Sequence, residues 1–179
     1  MNSPEKDGAF FEAGLRELEP YLLSKELYWP SSVHTADFTQ ITLGVLLLVH
    51  ARLKGWRLSG VTELTSQMDE VRSKWRSAWE TKARRELHAR SELWKDFLAE
   101  VRSSPDESAR RYPSEVRHRA ILELLLEELP ERSDETVTAL DGTLRAFWRP
   151  NGFVWDAALE PVFPKDSFWF LHGALKKEK

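Results

Sequence analysis

The sequence contains no cysteine. That excludes a disulfide framework, a thiolate metal site and a catalytic thiol, and it suits a reducing cytoplasm, the expected location. Asparagine, glutamine and methionine occur only twice each, while arginine outnumbers lysine sixteen to ten. Such a composition fits a heat-stable protein, and equally a G+C-rich genome. A basic excess is also missing: the formal net charge is −3. Nucleic-acid-binding domains usually carry a strong positive balance, so nucleic acid is not the favoured partner.

No apolar run is long enough to span a bilayer. The longest, ITLGVLLLV at 41–49, falls far short of the roughly 20 residues a membrane helix needs. Acidic residues stand in MNSPEKDGAFFEAG where a signal peptide would place a basic patch and an apolar core, so no leader and no membrane contact are expected.

What is present is helical patterning. Hydrophobic residues make up 41% and charged residues 31% of 179, an ordinary globular composition with enough chain for a real core. Ser3-Pro4-Glu5 combines a cap residue, a first-position proline and an early acid. Phe11, Leu15, Leu18 and Leu22 then share one face, predicting a helix over 4–27 that is open to a break at Pro20. Thr35 is the expected cap of a second helix reaching Trp56. Its nearly all-round apolar surface marks it as central, with Gly44 available for close approach by a neighbour.

A third helix is predicted over about 61–103. Val61, Leu64, Met68, Val71, Trp75 and Ala78 form a heptad seam. The phase then slips to Trp79, Ala83 and Leu87, as at a stutter, before Trp94, Leu98 and Val101. Ser104 to Glu107 has capping-box spacing and starts a short helical turn to Arg111. Pro113 opens the next helix, which ends before Pro130. Ser133-Asp134-Glu135 opens a last one, through about Trp148.

Beyond Pro150 the helical pattern stops. Eight of the twenty aromatic residues lie between Phe147 and Phe170, among prolines and glycines. This segment should be extended or irregular, with residues 167–171 a strand candidate that lacks an evident partner. The expectation is an all-α protein: one domain over 1–179, a four- to five-helix bundle over 4–149 with one long helix at 61–103, and an aromatic, proline-rich tail over 150–175 packed on it.

The long helix raises the functional question. About 42 helical residues span roughly 63 Å. A compact chain of this size is only about 40 Å across. A straight helix would leave part of its apolar stripe uncovered, which predicts a homodimer through this helix and makes Trp75, Trp79, Trp94 and Phe97 interaction candidates. Trp155 and Trp169 join them from the aromatic tail.

The basic residues Lys82, Arg84, Arg85 and Arg90 offer an alternative, a nucleic-acid-binding face. Against it, the tryptophans lie on the apolar stripe rather than among the basic residues. Acids also stand at pairing distance: Glu70 with Lys74, Glu80 with Arg84, Glu86 with Arg90.

A third alternative is a metal-dependent or small-ligand-binding bundle enzyme. Glu115 and His118 match half of a di-iron Glu-x-x-His element, and His88 and Glu92 sit one turn apart. No second element accompanies the first, and Arg117 and Arg119 oppose a cation. No phosphate loop, nucleophile elbow or zinc motif is present, so no catalytic residue and no cofactor is assigned. The favoured expectation is a non-catalytic interaction or scaffold protein.

Overall fold

The computed structural model describes residues 3–176. The protein is an all-α bundle with two tiny two-stranded sheets and an aromatic C-terminal segment. Among the described residues no helix is long and apolar enough to cross a membrane. The chain forms two compact units, Met1–Glu86 and Leu87–Lys179.

In the first unit, α1 (Pro4–Leu23) starts as its cap signals predict, with the Ser3 hydroxyl accepting from the Lys6 N–H at 3.2 Å. It ends four residues before the expected boundary. The Tyr21 carbonyl accepts both the Ser24 N–H and the Ser24 hydroxyl, at 3.2 and 2.8 Å, which closes the helix. Pro20 is accommodated in the last turn, where only one intrahelical bond is forfeited.

The second helix does not start at Thr35. Thr35 caps only a local turn, its hydroxyl accepting from Asp37 and Phe38 N–H. The chain then pairs β1 (Trp29–Pro30) with β2 (Gln40–Ile41), antiparallel, and α2 (Leu43–Gly55) begins behind Thr42. Every residue from Ile41 to Leu53 is buried. A close approach to α2 falls at Gly14 of α1, where a Cβ would run into Leu46 Cδ2.

A helix buried on all sides must satisfy its first N–H groups without water. The first turn of α2 holds no acid of its own. Glu86, distant in sequence and buried, supplies the carboxylate: one oxygen accepts the Gly44 N–H at 2.7 Å, the other the Thr42 hydroxyl at 2.6 Å. The Thr42 oxygen in turn accepts the Val45 N–H at 3.2 Å. The negative charge also faces the positive end of the helix dipole. At the opposite side of the core, Arg52 bridges Asp7 at 3.4 Å and Asp37 at 3.0 Å.

The segment expected to be one helix over 61–103 is divided. α3 (Val61–Lys74) ends at Trp75, whose φ of −117° and ψ of 37° are not helical, and α4 (Arg76–Ser103) follows at once. The interruption lies one turn before the phase slip between Ala78 and Trp79. No glycine or proline causes it. The apolar stripe changes phase one turn further on, and a straight helix could not bury both halves.

In the second unit, α5 (Pro105–Glu115) continues past Arg111 and through Pro113, so Pro113 does not open the next helix. α6 (Arg117–Glu127) and α7 (Glu135–Phe147) follow, the latter capped by the Asp134 carboxylate. The division at Trp75 and the full length of α5 account for the larger number of helices. β3 (Trp148–Pro150) pairs antiparallel with β4 (Gly173–Leu175), while the strand candidate at 167–171 is not a strand: its residues 169–171 form a turn of 3-10 helix. Gly173 is needed at this crossing, because a Cβ would overlap the Trp148 indole. Phe163, Phe168, Phe170 and Leu171 are buried, so much of the aromatic tail is core.

Glu86→Ala strands a buried N–H and a buried hydroxyl. It should lower unfolding free energy by about 3 kcal/mol in urea melts. Glu70→Ala, at an exposed position, should change it by less than about 0.5 kcal/mol.

Candidate functional site

The interruption at Trp75 opens a cleft. It encloses about 410 Å³ and lies within the first unit. Leu22 and Leu23 from the end of α1, with Trp75 and Ala78 at the bend, supply apolar surface. Lys74, Arg76, Lys82 and Arg85 supply positive charge, and no acidic residue lines it. Leu23 is 54% exposed, one of few large apolar side chains so presented. Trp75 is half-buried, its indole N–H unpartnered among the described residues, and the Lys74 ammonium stands 5.2 Å from its ring centre.

The four cations differ in how they are held. Lys74 pairs with Glu19 at 3.4 Å rather than with Glu70, and Arg76 with Glu80 at 2.8 Å; both pairs are largely exposed and worth little. Lys82 is buried. Its ammonium donates to the Ser24 hydroxyl and the Glu26 carbonyl, and lies 4.4 Å from the centre of the Tyr21 ring. Burial lowers its pKa, and the neighbouring Arg85 charge lowers it further, while the Glu26 carboxylate acts in the opposite direction. Arg85 is exposed and donates to the Lys25 carbonyl at 2.7 Å.

The remaining candidates are dispersed. Trp79, Trp94 and Phe97 are buried core residues; Trp94 stacks on Phe97 at 5.3 Å and tilts against Tyr112. The stripe is covered at these three residues, while Val61, Leu64, Val71, Trp75 and Ala78 on its first half are half-buried. Trp155, half-buried, donates its indole N–H to the Pro113 carbonyl at 2.8 Å, and Trp169 lies under the Arg145 guanidinium at 3.8 Å.

The four proposed nucleic-acid contacts do not form one face either. Arg84 reaches Glu80 at 3.7 Å, Arg90 is buried, and only Lys82 and Arg85 share the cleft. Glu86 is not on a solvated face at all.

Glu115 and His118 do approach, Oε2 to Nε2 at 3.8 Å, but their other neighbours are cations. Arg90 donates to His118 Nδ1 at 3.1 Å, and Arg111 pairs with Glu115 at 3.0 Å. Because guanidinium can only donate, Nδ1 is the acceptor and Nε2 carries the proton. Burial, with the Arg90 and Arg117 charges, pushes His118 down to about 3. His88 and Glu92 are exposed, and Glu92 pairs with Lys95 at 3.3 Å. Among the described residues no group of three or more histidines and acids could hold a metal ion.

Sequence reasoning missed the cleft because Leu23 sits off the apolar face of α1 and Trp75 sits on the stripe. Only the bend and the end of α1 bring them together. Compared with known proteins, the chain matches no family model, no curated protein and no solved structure.

His118 and His50 are both held neutral. His50 stacks on Phe11 and donates from Nε2 to Thr65, whose own hydroxyl proton goes to the Val61 carbonyl; burial, then Lys54 and Arg72, lower it to about 4. Each histidine thus takes up a proton more readily unfolded than folded. Their contribution is full above the unfolded value near 6.5 and is lost as pH falls toward 4 and 3. Denaturant melts at successive pH values should show stability falling below pH ~6.5, and His118→Gln should reduce the loss between pH ~7 and ~5 by about 2 kcal/mol. An identical pH profile in the variant would contradict this assignment.

Proposed function

We propose that the protein is a non-catalytic interaction protein and that its partner docks at the cleft around Trp75. The observation that carries this is an open cleft with exposed Leu23 and half-buried Trp75 on its surface and a basic rim. Tryptophan and arginine beside apolar side chains form the usual energetic centre of a protein interface, with polar groups at its rim. On this reading the interface lies at the bend between α3 and α4. A homodimer through the stripe of 61–103 has less support, because the Trp79, Trp94 and Phe97 side chains it would use are internal.

Selection of displayed random peptides on the wild-type protein tests the proposal. Leu23→Asp changes an exposed side chain, so the variant should keep its far-ultraviolet circular dichroism and melting temperature. Selected peptides should bind it at least about tenfold more weakly than wild type, the loss expected for a charge placed in an apolar contact. Peptides that bind L23D as tightly as wild type would place the interaction elsewhere.

A further inference from the structure

The cleft also carries information about the chemistry of its partner. We infer that it takes an acidic peptide segment of another protein, with a carboxylate on exposed Arg85, beside the buried charge of Lys82, and a bulky apolar side chain against Leu22, Leu23, Trp75 and Ala78. The inference rests on the interaction function proposed above and narrows it.

Three observations support it. First, the lining carries four cations and no acid, although the protein as a whole is net negative. Second, Lys82 and Arg85 each bond only neutral oxygens. Lys82 donates to Ser24 and the Glu26 carbonyl, and Arg85 to the Lys25 carbonyl. Two like charges therefore sit one helical turn apart with no carboxylate hydrogen-bonded to either. A bound carboxylate would relieve their repulsion and accept charge-assisted hydrogen bonds. Third, the positive charge surrounds an apolar patch instead of extending along a strip. A nucleic-acid backbone needs a track of successive phosphate contacts, whereas a short peptide needs one anchor and a few charges beside it. The other basic residues of this stretch do not extend the cluster, since Arg84 is paired with Glu80, Arg90 donates to His118, and neither lines the cleft.

The test uses fluorescein-labelled synthetic peptides and the full-length protein, read by anisotropy. One peptide places two aspartates on each side of a leucine–tryptophan pair. A second replaces the aspartates by asparagines, and a third by lysines. The acidic peptide should bind at least about tenfold more tightly than the neutral one and weaken steeply with added salt, as expected for a charge-complementary contact. Lys82→Met and Arg85→Gln should each weaken it several-fold, and Arg84→Gln should not. Arg85 is exposed, so R85Q remains informative if K82M fails to fold.

If the neutral or the basic peptide binds as well as the acidic one, and L23D abolishes it, the acidic chemistry is wrong while the interaction function stands. Where no peptide shows binding that depends on Leu23, both fail. Binding of a single-stranded oligonucleotide that is lost in R85Q would overturn the inference in favour of nucleic acid. Self-association lost in L23D, seen by light scattering, would overturn it in favour of a second copy of the chain.

Discussion

One buried carboxylate sets the terms for the first unit. α2 is apolar almost all round, which makes it a good core element and a poor provider for its own backbone. Its first N–H groups are inaccessible to water, and a buried unpaired N–H costs on the order of 1–3 kcal/mol. Glu86 accepts from Gly44 directly and holds Thr42, which accepts from Val45. A carboxylate taken into the interior is itself costly unless its oxygens are bonded and a positive potential faces it. Two donors and the helix N-terminus meet that need. The arrangement is mutual, so neither α2 nor this part of α4 can move without stranding a polar group.

The same constraint reaches the cleft. Glu86 holds α4 about three turns from its start, one turn from Lys82 and next to Arg85. With this part of α4 held, and α3 packed on α1 and α2, the phase difference between the two stretches of apolar stripe must be absorbed somewhere. It is absorbed at Trp75. The indole is left half-buried beside the end of α1, where Leu22 and Leu23 meet it. The cleft thus arises from the packing of the first unit and does not depend on a mobile loop.

Much of this was legible in the sequence, and the failures have physical causes. The cap at Ser3, the helix after Asp134 and the position of the aromatic tail were all visible, because caps and periodicity are local. The phase slip after Ala78 was visible too, although it indicated an unwound supercoil where the helix is in fact interrupted. Thr35 and Thr42 both have the chemistry of a cap. Only the pairing of residues 29–30 with 40–41, a contact between distant residues, selects Thr42. Glu86 looked like one more acid on a salt-bridged face, since nothing local reveals that a helix 42 positions earlier in the chain lacks an acid in its first turn. Lys82 and Trp75 were assigned by helical phase to opposite faces. A bend between them removes the rule on which that assignment rested.

Native-state hydrogen exchange at the Gly44 amide tests the central claim most directly. N–H groups in the first turn of a helix ordinarily exchange fast, having no intrahelical acceptor. If Glu86 holds this amide in the interior, Gly44 should exchange only through global unfolding, at the rate of the Leu47 and Leu48 amides in the middle of α2. Exchange as fast as at Glu63, in the exposed first turn of α3, would show that the buried carboxylate does not fasten α2 to α4.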